Sequence, residues 1–155
     1  MYTLKTISFF SFIILLLSSC TTMDVVEKTK SFPNHEWKAA EIPTLSFEVF
    51  DTASKYNLYL VLRHEDAYRY KNIWVTVQMK SPDTTIVIKR EFTLANNTKW
   101  LGTNMSDIIE HRIAFNTIPA TLKKGTYTFT LQQSMREEPL QFILNAGIRV
   151  QKVQP

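Results

Sequence analysis

The stretch Gly125-Thr126-Tyr127-Thr128-Phe129-Thr130-Leu131 decides the fold class. Three threonines alternate with two aromatics and a leucine, and a Lys124-Gly125 turn signal stands in front of them. A period of two places Tyr127, Phe129 and Leu131 on one side of a strand and the threonines on the other, so one face is buried and one is wet. β-branched and aromatic side chains suit such a half-buried pleated surface.

The same texture extends outward in both directions. Leu45, Phe47 and Val49 share a face opposite Ser46 and Glu48. Leu58, Leu60 and Leu62 share another, and Tyr59 and Val61 make the reverse face partly apolar, which predicts a central strand. Ile73, Val75, Val77 and Met79 alternate with Trp74, Thr76 and Gln78. Ile86 and Ile88 follow the Ser81-Pro82-Asp83 turn in a strand running toward Leu94. Ile113 with Phe115, and Ile148 with Val150, complete the set. Seven to eight short strands separated by turn signals predict an all-β protein, an antiparallel β-sandwich of immunoglobulin-like or jelly-roll-like type. Residues 95–110 are too long for a tight hairpin and are expected to cross between the sheets. Within them, "SDIIEH" suggests one helical turn capped by Ser106.

The N-terminus has a different composition. Lys5 gives a positive start, and Ile7 to Leu17 form an eleven-residue apolar run broken only by two serines. As a helix this run would span about 16 Å, well short of the ~30 Å hydrocarbon core of a bilayer. It reads as the apolar region of a signal segment. Leu17-Ser18-Ser19-Cys20 closes it, and Cys20 is the only cysteine of the chain. This pattern resembles the lipobox of bacterial lipoproteins. The resemblance implies cleavage before Cys20, a thioether diacylglycerol on its sulfur and an N-acyl lipid on the new amine. Two or three acyl chains hold a protein on a membrane far better than one. Thr21 stands where proteobacterial inner-membrane lipoproteins carry aspartate, and by that analogy the outer membrane is expected. The expected division is a signal peptide over 1–19, a lipidated N-terminus and flexible linker over 20–36, and the sandwich over 37–155.

Composition narrows the chemistry. Removing Lys5 from 18 basic residues leaves 17 against 14 acidic ones, a mature charge of +3 dispersed along the chain. No basic run marks a nucleic-acid surface. Three glycines in 155 residues leave no phosphate-cradling loop, and neither a G-x-S-x-G elbow nor H-E-x-x-H occurs. Tertiary folding could gather His64, Asp66 and His111 as metal ligands, yet the sequence places no close ligand pair on one element. His35, His64 and His111 read as surface or edge histidines. Glu65-Asp66 and Glu137-Glu138 are neighbours that point to opposite faces of a strand, which does not suit glycoside hydrolysis. No catalytic residue, metal or cofactor is expected beyond the lipid on Cys20. In "EDAYRYKNIW", Tyr68, Tyr70 and Trp74 lie at a strand-connecting loop among Arg69 and Lys71. With Trp100 they either close the end of the core or offer a flat surface to a sugar ring or a protein.

Several segments then occur in a recognisable order: "FEVFD" from Phe47, "YNLYLVLRH" from Tyr56, "YRYKNIW" from Tyr68, "WLG" from Trp100, "GTYTFTLQQSMR" from Gly125 and "AGIRV" from Ala146. Together with the lipobox, this order over residues 37–152 resembles the GldH gliding motility lipoproteins of Bacteroidota. "PLQFILNAGIRV" departs from the shorter, more polar approach expected before the final glycine-arginine. The resemblance implies a non-catalytic component of the gliding and type IX secretion machinery. Such a component would be membrane-bound by its lipid and would act through other envelope proteins. Arg63, Asn72, Trp74, Trp100, Arg136 and Arg149 match recurrent family positions. The alternative is a surface lipoprotein that binds glycan through Tyr68, Tyr70, Trp74 and Trp100.

Overall fold

The computed structural model describes residues 24–153, so the signal segment and Cys20 lie outside the described residues. The strands are β1 (Val25–Ser31), β2 (Glu36–Trp37), β3 (Thr44–Val49), β4 (Lys55–Glu65), β5 (Asn72–Lys80) and β6 (Thr85–Thr93). They continue with β7 (Thr103–Met105), β8 (Ile108–Ala114), β9 (Ala120–Thr121), β10 (Gly125–Gln133), β11 (Leu140–Gln141) and β12 (Ile143–Lys152). One sheet has the order β1-β12-β4-β8-β7, with β9 beside the start of β4. The other has the order β3-β10-β5-β6, and β2 and β11 form a small separate pair. All strand pairings are antiparallel.

The alternation explains the packing. Tyr127, Phe129 and Leu131 of β10 are buried with Phe47 and Val49 of β3 and with Ile73, Val75 and Val77 of β5. Facing them from the other sheet are Leu58, Leu60 and Leu62 of β4 with Ile148 and Val150 of β12. As expected, β4 is central, paired to β12 on one side and β8 on the other. Val61 on its outer face is fully buried as well. Residues 94–102 do leave the four-stranded sheet at β6 and enter the six-stranded one at β7.

Two expectations are overturned. The stretch assigned to a flexible linker contains β1, whose seven residues pair in register with β12 from Val25↔Gln151 to Ser31↔Asn145. A single 3-10 turn at Pro33–His35 and the first residue of β2 follow. Phe32, between them, is buried and stacked on Trp37 at 4.9 Å. β1 has no fully buried residue. It is held as an edge strand by backbone bonding that leaves little trace in apolar periodicity. Close approach to β12 also requires Gly147, where a Cβ would stand 2.1 Å from the Lys28 carbonyl oxygen. Similarly, Ser106 caps no helix. With φ 66° it occupies a tight turn between β7 and β8, whose end residues Met105 and Ile108 pair directly.

The register sorts the loops into two ends. The start of β1, the end of β3, the start of β4, the β5–β6 turn, the start of β10 and the end of β12 lie together at one end. Since β1 follows the expected signal segment, this end is called the tethered end. The β4–β5 loop, the segment after β10 and the β2–β11 pair lie at the opposite, distal end.

Candidate functional site at the distal end

β4 ends at Glu65 and β5 begins at Asn72, so Tyr68 and Tyr70 lie in the connecting loop and Trp74 on the strand itself. The four aromatics separate by burial. Tyr68 turns inward, is buried, and donates its hydroxyl to the Asn72 carbonyl at 3.1 Å. Trp100 packs partly buried against the core and donates its indole N–H to Asp66 at 2.6 Å. Both rings lie on the imidazole of His64, at centroid distances of 5.0 and 4.5 Å. Trp74 is exposed and Tyr70 half-buried, and both line an open cleft of about 690 Å³ with Asn72, Lys89, Ser134, Met135 and Arg136.

The cleft follows from strand alternation. Ile73 and Val75 point into the core, so Asn72, Trp74 and Thr76 face outward beside Glu91 and Lys89 of β6. The Lys89 ammonium lies 5.9 Å from the Trp74 ring centroid, within reach of a cation–π attraction. Asn72 donates to Glu91 at 2.5 Å. The second wall is Ser134 to Arg136, fastened by the Ser134 amide to the Trp74 carbonyl at 2.8 Å and by the Trp74 amide to Met135 Sδ at 3.2 Å. Arg69 pairs with Glu137 at 3.3 Å at the rim. The cleft therefore offers an aromatic plane, a thioether and the cations of Arg136 and Lys89 close together.

Beneath this end the two histidines are buried, against their expected surface position. Leu58, Leu60, Leu62 and His64 share one face of β4, and Ile109, His111 and Ile113 share one face of β8, so both imidazoles point inward. That in-phase placement was readable as a core signal. His64 Nε2 and His111 Nε2 are 3.0 Å apart, and His64 Nδ1 is 2.7 Å from the Glu65 carbonyl oxygen. The hydrogen bonding assigns the His64 proton to Nδ1, which donates to that carbonyl, and makes Nε2 the acceptor of the His111 Nε2–H. Burial pushes both pKa values down, that of His111 to about 4 with the help of neighbouring His64. Both are neutral near pH 7. Gly102 lets the strand after Trp100 lie flat on β8, since a Cβ there would stand 2.4 Å from the Glu110 carbonyl oxygen. Asp66 bonds to Trp100 instead of joining the pair, and among the described residues no group of three or more metal-ligating side chains converges. His35 is exposed and pairs with Glu65.

The remaining recurrent positions fall elsewhere. On the outer face of the six-stranded sheet, Arg63 and Arg149 join Arg112 around Glu27 and Glu110. Burial raises the Glu27 carboxyl, but hydrogen bonds from Arg149 and Arg112 outweigh it and hold the group below its ordinary range. Arg63 and Arg149 thus join strands, whereas Asn72, Trp74 and Arg136 border the cleft. Lys89, Ser134 and Met135 were not singled out from sequence. They reach the cleft only through the β5–β6 and β5–β10 pairings.

A family model for the GldH lipoproteins matches residues 24–150, the whole of the sandwich except its last turns of chain. The chain belongs to the GldH lipoprotein family. Its similarity extends to the gliding motility lipoprotein GldH of Flavobacterium johnsoniae, 28% identical over 147 residues that cover 89% of this chain and 91% of that one. It extends also to the gliding motility lipoprotein GldH homolog of Christiangramia forsetii, 26% identical over 153 residues, 92% and 93% of the two chains. No solved structure matches. Membership in the GldH family makes this a lipid-anchored protein of the cell envelope. Among the described residues no helix is long and apolar enough to cross a membrane.

Proposed function

We propose that this protein is a non-catalytic docking component of the gliding and type IX secretion machinery. It is anchored through acylated Cys20, in the outer membrane, and engages another envelope protein through the distal cleft. The carrying observation is the combination of Trp74, Met135, Arg136 and Lys89 around one open concave surface. Aromatic and arginine side chains dominate the energetics of protein interfaces, and methionine adapts to irregular partners. Three cleft residues, Asn72, Trp74 and Arg136, are also among the positions that the family resemblance marks as recurrent. The test is complementation of a deletion strain with Trp74→Ala/Arg136→Glu. The double variant is expected to accumulate and carry lipid normally while failing to restore gliding or secretion. Full restoration would contradict the proposal.

Glycan binding is a second reading, favoured by the exposed Trp74 ring and the half-buried Tyr70 lining the same cleft. Tyr68 and Trp100 would contribute only by supporting the loop beneath it. A glycan array with purified protein tests this reading: binding lost in Trp74→Ala supports it, and no binding to any glycan retires it.

A further inference from the structure

We propose that the tethered end of the sandwich is itself a lipid-binding surface, so that the domain stands on the membrane with its distal cleft turned away. The inference rests on the reading of Cys20 as the acylated residue. Three residues, four Cα–Cα steps spanning at most ~14 Å when fully extended, join Cys20 to Asp24. Asp24 is fixed to the body, because its carbonyl accepts the Lys152 amide at 2.8 Å. A tether this short leaves the acyl chains beside one particular surface.

That surface carries the two most exposed large apolar side chains among the described residues, Ile118 at 76% and Phe50 at 71%. Both lie next to the point of attachment. Lys152 pairs through Nζ with Asp51 at 2.7 Å, and Asp51 follows Phe50 directly. Asn116 clamps the Ile118 loop to the start of β4 by donating to the Tyr56 and Ile118 carbonyls at 3.1 and 2.8 Å. Tyr56 is the strand partner of Lys152. Single exposed apolar residues are ordinary on protein surfaces. Others, among them Ile42, Trp74, Leu101 and Met105, are exposed elsewhere, and the informative feature is that the two most exposed both stand at the end where the anchor emerges.

Charge points to the same occupant. Lys55, Lys80, Lys123, Lys124 and Lys152 are at this end against Asp24, Glu48, Asp51 and Asp83. Lys123 pairs with Asp83 and Lys152 with Asp51, while Lys55, Lys80 and Lys124 form no ion pair among the described residues. Apolar side chains beside unpaired lysines fit an anionic bilayer interface, where the phenyl ring and the isoleucine side chain enter the headgroup region and the ammonium groups meet phosphates. The rigid loops bearing Phe50 and Ile118 then act as second and third contacts of an anchor that starts at Cys20.

The experiment uses the full, natively acylated protein in sparse phosphatidylethanolamine/phosphatidylglycerol vesicles. A spin label is placed on an introduced cysteine at Phe50→Cys, Ile118→Cys or, at the distal end, Asn97→Cys. Collisions with a water-soluble nickel chelate are expected to fall at least about threefold at 50 and 118 relative to 97, with oxygen collisions rising, as for groups in the interface. Lys55→Glu/Lys124→Glu should reverse much of that change. If labels on acylated protein stay as aqueous as at 97, the proposal is overturned. It is also overturned if 50 and 118 are shielded by a second copy, seen as dipolar broadening that disappears on dilution with unlabelled protein. Mass spectrometry of each sample judges the anchor separately. Unacylated protein whose labels still enter lipid contradicts Cys20 alone and supports the surface, whereas unacylated protein with aqueous labels contradicts both.

Discussion

The two ends of the sandwich are closed in different ways. At the distal end, Phe32, Trp37, Tyr68 and Leu140 fold over the core, and Trp100 covers a buried imidazole pair. At the tethered end the large apolar residues Phe50 and Ile118 stand out from the body. The loops behind them are fastened by polar contacts: Asp51 to Lys152, and Asn116 to Tyr56. Side chains at one end therefore stabilise the fold, and the outermost ones at the other end are spare. An end whose apolar groups are not needed for folding can meet a lipid surface at no cost to stability.

Substitution should expose this contrast most strongly in Trp37→Ala set against Phe50→Ser. Trp37 is fully buried, stacked on Phe32, and donates its indole N–H to the Glu41 carbonyl. Losing it should cost about 4 kcal/mol in denaturant unfolding, whereas Phe50→Ser should change stability by less than ~0.5 kcal/mol. Comparable losses at both positions would dissolve the distinction. Next in size is Gly147→Ala, expected to cost roughly 3 kcal/mol through the clash with the β1 backbone. Hydrogen exchange should show the loss concentrated in Val25–Ser31, the strand that pairs with β12 at this glycine.

Acidification should weaken the distal end selectively. The His111 pKa is about 4 in the folded protein and near 6.5 unfolded, so the unfolded state takes up the proton first. This contribution is complete above pH 6.5 and is lost as pH falls from 6.5 toward 4, with His64 acting in the same direction. The loss from His111 alone should reach roughly 2 kcal/mol by pH 5. Unfolding free energies that stay level between pH 7 and 5 would contradict the buried neutral pair. A small stability effect is expected at the cleft as well, where Trp74→Ala should cost under about 1 kcal/mol because the indole is over a third exposed.

The sequence disclosed most where burial alternates. β10, β5 and β4 were readable because every second residue meets the opposite sheet, and the crossing after β6 was readable from its length. β1 was hidden because an edge strand held by backbone bonds and by Glu27 needs no apolar stripe. The Ser106 turn was mistaken for a cap because the same small polar residue serves both roles. His64 and His111 were misplaced because their polarity outweighed their phase with neighbouring leucines and isoleucines. Of the distal surface, the aromatic loop and Trp74 could be marked in advance. Which of those rings remained accessible depended on the imidazole pair beneath them, a contact between residues 47 positions apart.

The most direct measurement is photocrosslinking in living cells, with a photoreactive residue replacing Phe50 or Ile118 at one end and Trp74 or Arg136 at the other. The expected result is lipid adducts from the first pair and a discrete protein adduct from the second. Protein adducts from Phe50 and Ile118, together with lipid adducts from Trp74 and Arg136, would invert the orientation and contradict the account.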